Sequence, residues 1–121
     1  MKILSVDDDK MMRLLMKKYL SSKGHEVVEA ENGEDGVSAA RREGPDLIVM
    51  DVNMPVMDGY TATRALKADP ATRGIPIILL TGADEDTGVA ETAEAGADGF
   101  LPKPVDFAIL LQRIATYDPA S

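Results

Sequence analysis

The sequence of 121 residues predicts an α/β protein, a three-layer α/β/α sandwich around a five-stranded parallel sheet. Short apolar, β-rich runs alternate with helix-period segments five times along the chain. Two of the runs, those reaching Met50 and Leu80, are apolar almost throughout, as strands covered on both faces should be. Helical segments of roughly ten to fifteen residues between such runs are the signature of right-handed βαβ crossovers.

In order, a first strand spans residues 3–6. A helix over 10–22 follows, with Met12, Leu15, Met16, Tyr19 and Leu20 at helical spacing and Leu14, Met16, Tyr19 and Leu20 available for the inward stripe. Gly24 is a natural left-handed stop after it. The second strand, 25–30, centres on Val27 and Val28, and a helix over 34–42 turns Val37 and Ala40 inward before Gly44-Pro45 ends it. The third strand, 46–51, ends on Asp51 and leads through a loop to a helix over 59–67. A fourth strand over 75–80, a helix over 86–95, a short strand over 99–101 and a helix over 106–116 complete the pattern. Residues 1–117 form one domain, and 118–121 read as a tail or the start of a linker.

Composition excludes several classes. Hydrophobic residues make up 45% and charged residues 28%, which is ordinary for a globular domain. No apolar run reaches membrane-spanning length, so no membrane role is expected. The N-terminal segment turns acidic at Asp7, too early for a signal peptide. The absence of cysteine excludes disulfides and thiolate metal sites and suits a reducing cytoplasm. A net charge of −8 makes direct nucleic-acid binding unfavourable. Charge is also segregated: residues 10–23 carry Lys10, Arg13, Lys17, Lys18 and Lys23 and no acid, whereas 74–102 hold no Lys or Arg. Two surfaces with different partners would use such a division.

Chemistry gathers at the ends of the apolar runs. Asp51 closes the third strand, where a carboxylate is costly unless a charge meets it. Asp7, Asp8 and Asp9 lie at the first strand-to-helix turn. One of them, Asp9, is enough to cap the helix, leaving Asp7 and Asp8 to repel each other and Asp51. A hard divalent cation would relieve that repulsion, and Mg²⁺ accepts one or two carboxylates with waters and a phosphate oxygen. The lone His25 lies on the far side of the unit and is expected at the surface. Lys103, between Pro102 and Pro104, follows the fifth strand and is the only basic residue between Arg73 and Arg113; its bond to Pro104 is a candidate cis peptide. Thr81 adds a hydroxyl from the end of the fourth strand. Carboxylates, a cation, an ammonium and a hydroxyl around one point describe a phosphoryl site. With no glycine-rich nucleotide loop, the phosphoryl group is one carried by the protein, and Asp51 is the placed nucleophile.

The motifs Ile3-Leu4-Ser5-Val6-Asp7-Asp8, Leu47-Ile48-Val49-Met50-Asp51 with Met54-Pro55 and Met57-Asp58-Gly59, Ile78-Leu79-Leu80-Thr81-Gly82, and Ala95 through Pro104 occur in this order. Asp51 and Thr81 are 30 residues apart, and Thr81 and Lys103 are 22 apart. On these residues the chain resembles the response-regulator receiver domains of two-component signalling, similar to single-domain chemotaxis and sporulation regulators. The resemblance covers residues 2–116 and implies a flavodoxin-like sheet of order 2-1-3-4-5.

It further implies that a sensor histidine kinase, or a histidine phosphotransfer protein, donates a phosphoryl group to Asp51. Mg²⁺ would be held by Asp8, Asp51 and the backbone carbonyl of Asn53, with Asp7 acting through water. Lys103 and Thr81 would bind the phosphoryl oxygens, and Phe100 would swing inward behind Thr81. The surface of the fourth helix, fifth strand and fifth helix would then engage an output protein or a covalently linked output domain, or pair with a second phosphorylated copy. Met11, Met12 and Leu15 would dock the kinase. Such a protein is a signalling switch rather than an enzyme, catalysing only its own phosphorylation and dephosphorylation. Three positions depart from or tune the pattern. Phe100 stands where many receivers carry tyrosine, and the small Ala83, with Asn53, occupies positions that set dephosphorylation and should leave a water path open.

Other classes fit less well. A metal-dependent phosphohydrolase of the haloacid-dehalogenase type would need Asp-x-Asp-x-Thr, which Asp51-Val52-Asn53-Met54-Pro55 lacks. A flavin binder would want aromatic stacking, and aromatics are 4% of the chain with no Trp. A phosphorylation-independent interaction module would have no use for a full set of site residues.

Overall fold

The computed structural model describes residues 1–82 and 85–118, without the side chains of 85–89. Strands β1 (Lys2–Val6), β2 (Glu26–Ala30), β3 (Leu47–Asp51), β4 (Ile77–Thr81) and β5 (Gly99–Pro102) pair in parallel in the order β2-β1-β3-β4-β5. Helices α1 (Lys10–Ser21), α2 (Gly33–Glu43), α3 (Gly59–Ala68) and α4 (Glu85–Ala95) make the crossovers, and α5 (Phe107–Tyr117) closes the chain. The expected α/β/α sandwich and its strand order are those observed.

β3 and β4 are buried at every position, and alternate residues feed two core layers. Leu47, Val49, Ile78 and Leu80 meet Met16 and Leu20 of α1 and Leu110 and Ile114 of α5. Ile48, Met50, Ile77 and Leu79 meet Val37 and Ala40 of α2 and Ala62 and Leu66 of α3. Each such buried side chain contributes roughly 1.5–3 kcal/mol relative to exposure. The edge strand β2 exposes Glu26 and Glu29, charges that discourage pairing with another chain.

Polar side chains start the helices. Asp9, Asn32, Asp58 and Asp106 accept backbone N–H bonds from the first turns of α1, α2, α3 and α5. Gly44 ends α2 at φ 56°, a left-handed conformation that glycine adopts without penalty.

The structure departs from the sequence expectations at β4, β2, His25 and α1. β4 starts at Ile77 rather than 75, because Pro76 has no N–H for the ladder; its carbonyl still accepts from the Ile48 amide at 3.0 Å. β2 starts at Glu26, since the His25 amide turns back to the Leu20 carbonyl at 3.2 Å. His25 is half-buried rather than a surface residue, its Nδ1 lying 3.1 Å from the N-terminal amine. On α1 the inward stripe is narrower than expected: Met16 and Leu20 are buried, but Leu14 is 51% and Tyr19 41% exposed. Tyr19 instead stacks on Phe107 of α5 at 4.3 Å.

Ala83 and residues 119–121 lie outside the described residues, as do Asp84 and the side chains of Glu85 and Asp86 in the acidic segment. Among the described residues no helix is long and apolar enough to cross a membrane.

Candidate functional site

Parallel register brings the chemical residues to one edge of the sheet. Val6 pairs with Met50, Asp51 with Leu80, and Thr81 with Pro102. Asp7, Asp51, Thr81 and Lys103 therefore leave the sheet at the same end, the carboxyl edge where open α/β sheets form ligand crevices.

Asp51 is 2% exposed. One of its carboxylate oxygens lies 2.7 Å from the Lys103 ammonium and accepts the Asn53 amide at 3.3 Å. The ammonium offsets a charge that would otherwise be strongly unfavourable in this place. Lys103 is held through its own backbone: its amide donates to the Thr81 carbonyl at 2.7 Å, and the Lys103–Pro104 peptide is cis. Thr81 is buried, and among the described residues its hydroxyl donates a long 3.5 Å bond to the Leu101 carbonyl. A bond at that limit is weak, so the hydroxyl is available to a better acceptor.

Asp7 is also 2% exposed. Its Oδ1 accepts the Asp9 amide at 2.9 Å, and its Oδ2 is buried with no hydrogen-bond partner among the described residues. Burial, above all, pushes its pKa from 3.8 up to about 6; the Asp9 amide and Lys103 oppose this, while Asp51 and Asp8 add to it. Carboxylate oxygens of Asp7, Asp8 and Asp51 lie within 4.8 Å of one another, with Asp8 exposed toward solvent. Three oxygen ligands and an unpaired buried oxygen are the donor set of a hard divalent cation, so the residues fit Mg²⁺.

The loop after β3 is folded tightly under the site. A Cβ on Gly59 would sit 2.5 Å from the Asp51 carbonyl oxygen, so only glycine lets α3 start so close to the strand. Asp58 caps that helix by accepting the Thr61 amide at 2.8 Å. Between them and Asp51, Val56 takes φ 71°, a left-handed conformation unusual for a β-branched residue, with 75% of its surface exposed.

The remaining sequence-selected residues lie in the loop after β3, on β5 and on α1. Asn53 is exposed two residues beyond Asp51, and Phe100 is half-buried on β5 against the α2–α3 core layer. Met11 is 63% exposed, whereas Met12 and Leu15 are half-buried. Met11, Leu15 and Tyr19 follow one another at four-residue spacing and so share the side of α1 that meets Phe107. The sequence marks Arg13 as one of the basic residues that suit α1 to a docking kinase, yet its Nη1 donates to the Asp7 main-chain carbonyl at 2.6 Å. A side chain bound to a carbonyl carries no residue-type signature; its position one turn after the capping aspartate is the only hint.

The family model for the response regulator receiver domain matches residues 3–115. The chain is 42% identical to protein PilH of Pseudomonas aeruginosa, over 93% of each sequence. It is 41% identical to the response regulator PleD of Caulobacter vibrioides, covering 93% of this chain and 25% of PleD. Among solved structures, the receiver domain of the sensor histidine kinase PA1611 of Pseudomonas aeruginosa, which holds a magnesium ion in its active-site cleft, superposes with a TM-score of 0.88. That structure is 33% identical, over 96% of this chain and 95% of the other. The chain belongs to the response regulator receiver domain family of two-component signalling.

Proposed function

We propose that this domain is a phosphorylation-dependent switch in which Asp51 takes a phosphoryl group from the phosphohistidine of a kinase or phosphotransfer protein. The observation that carries the reading is a buried Asp51 carboxylate held 2.7 Å from Lys103 and within 4.8 Å of two further carboxylates. A carboxylate oxygen of Asp51 attacks phosphorus while the P–N bond to the donor imidazole breaks; the electron pair leaves with the imidazole nitrogen, and an acyl phosphate remains. Asp8, Asp51 and the Asn53 carbonyl would hold Mg²⁺, with Asp7 acting through water, and the ion would neutralise charge on the transferred group.

The protein's own groups do the rest. Lys103, already paired with Asp51, transfers its attraction to a phosphoryl oxygen without moving far. Thr81 exchanges its 3.5 Å bond to Leu101 for a phosphoryl oxygen. That shift vacates space behind β4 for the half-buried Phe100, one strand over, and changes the surface of α4, β5 and α5 presented to an output partner. Exposed Met11 and half-buried Leu15 beside the site suit the docking of a donor helix.

Incubation with acetyl phosphate, which loses acetate as its phosphoryl group is transferred, and Mg²⁺ tests this. An acid-stable, base-labile adduct that disappears in Asp51→Asn is expected. No adduct, or one that survives the substitution, refutes the proposal.

A further inference from the structure

Asp7 is tied at three points. Its amide donates to the Ala30 carbonyl at 3.1 Å, its Oδ1 accepts the Asp9 amide at 2.9 Å, and its carbonyl accepts from Arg13 Nη1 at 2.6 Å. The first tie belongs to the sheet and the second to the turn. The third comes from α1, where the Arg13 amide already closes the first helical turn on the Asp9 carbonyl at 3.0 Å. The guanidinium is itself oriented from β2: its Nε lies 3.7 Å from a Glu29 carboxylate oxygen, and the Arg13 side chain is only 15% exposed. A fork of this kind joins two partners at set angles, which the single ammonium of a lysine does not do.

The Asp7 carbonyl is one end of the Asp7–Asp8 peptide. A planar peptide transmits orientation, so fixing the carbonyl of Asp7 fixes the Asp8 N–H and Cα and leaves only the φ of Asp8 to set where its side chain leaves the backbone. Asp8 is exposed and carries one of the three clustered carboxylates, so its aim depends on that backbone more than on packing around its side chain. Magnesium demands near-octahedral ligand directions, and a carboxylate left to wander binds it poorly.

We propose that Arg13 is a positioning residue for the acidic cluster: it locks the Asp7–Asp8 peptide so that Asp7 and Asp8 converge with Asp51 on a divalent cation. The proposal rests on the metal-assisted reading above. It differs in sign from a purely electrostatic role. A guanidinium near three carboxylates repels a cation, so if charge alone mattered its removal would tighten Mg²⁺ binding.

The test titrates Mg²⁺ alone into metal-free wild type, Arg13→Lys and Arg13→Met, following the amide signals of Asp8, Asp9 and Asn53 by NMR, with urea melts alongside. Arg13→Met is expected to weaken Mg²⁺ binding about tenfold, the scale seen when groups orienting metal ligands are lost. Arg13→Lys, which can still donate to the Asp7 carbonyl but cannot hold that carbonyl and Glu29 at set angles, should weaken it less than Met. The Asp9 amide should exchange faster in both. Tighter binding in Arg13→Met overturns the proposal, and so does unchanged affinity with a lowered urea midpoint, which would make Arg13 a fold-supporting residue only. If Arg13→Met does not fold, wild-type affinity in Arg13→Lys is enough to overturn it. Absence of any Mg²⁺ response in wild type defeats the metal reading itself, whereas a wild-type response with unaltered variants defeats only the role of Arg13.

Discussion

At the amino-terminal end of the sheet, the Lys2 ammonium lies 3.1 Å from Glu43 and 3.8 Å from Glu26, and the Lys2 amide donates to Asp46 at 2.7 Å. There too Lys67 donates to the Arg73 and Ile75 carbonyls at 3.2 and 2.9 Å and to Asp98 at 3.0 Å. Asp98 in turn accepts the Ile77 amide at 2.8 Å, tying α3, β4 and the entry to β5 together. At the carboxyl-terminal end, three carboxylates crowd within 4.8 Å, one buried oxygen has no partner among the described residues, and Val56 sits in left-handed backbone. The groups named at the first end are paired, whereas the second end leaves charge and an oxygen unmet. An unmet demand for charge is what would let a cation and a phosphoryl group, as proposed, bind with a gain large enough to shift the conformation.

That contrast predicts opposite outcomes for removing a charge at each end, the largest at the satisfied end. Lys67→Met removes the common donor of two carbonyls and a carboxylate, and should destabilise the fold by about 2 kcal/mol while leaving Mg²⁺ affinity unchanged. Urea melts and a Mg²⁺ titration check both halves. A loss of Mg²⁺ affinity would show that the two ends are coupled and break the comparison.

Asp7→Asn should do the reverse, stabilising the metal-free protein by about 1–2 kcal/mol above pH 6 while weakening Mg²⁺ binding. The amide keeps the acceptor for Asp9 and turns its NH₂ toward Asp8 and Asp51, replacing repulsion with donation. The pH dependence follows from the direction of the shift. The folded state holds the Asp7 proton up to about pH 6 and the unfolded state only to 3.8, so the stabilisation that this proton gives the wild type is complete below 3.8 and lost as pH rises through about 6. Metal-free wild type should therefore gain stability on acidification across that window, and Asp7→Asn should lack this gain. Thermal melts in chelator at stepped pH measure it, and a destabilised Asp7→Asn would mean that this end is not the unsatisfied one.

The contrast also explains what the sequence disclosed. β3 and β4 were legible because continuous apolar runs ending in Asp51 and Thr81 admit few other readings, and parallel crossovers then bring those ends together. The gathering of Asp7, Asp8, Asp51, Thr81 and Lys103 was legible for the same reason. The inward face of α1 was not, since Met11, Met12, Leu14, Leu15, Met16, Tyr19 and Leu20 cover most of its circumference. The neighbours decide it: the sheet takes Met16 and Leu20, while Phe107 draws Tyr19 outward. The left-handed Val56 was hidden because no Gly or Asn marks it, and the Arg13 clasp because its acceptor is main chain.

The smallest expected effect lies at the satisfied end and runs opposite in sign to that of Asp7. His25 Nδ1 faces the N-terminal ammonium at 3.1 Å, and a neutral ring accepts that bond whereas a protonated one is repelled. Burial, and then the ammonium, hold the His25 pKa below 6.5, with Asp118 partly opposing them. A depressed folded pKa means that the unfolded chain takes up the proton first on acidification. The contribution of His25 is therefore present above pH 6.5 and lost as pH falls through the folded value. An NMR titration of the ring protons should give a midpoint below that of an unfolded peptide. His25→Gln, which keeps an acceptor for the amine, should remove a slight acid destabilisation without touching the gain from Asp7. In Asp7→Asn this small term stands alone, so that variant should weaken on acidification through the His25 midpoint where the wild type strengthens. A ring that titrates at or above 6.5 would place an unmet charge at this end as well, and the division of the molecule into a satisfied and an unsatisfied edge would fail.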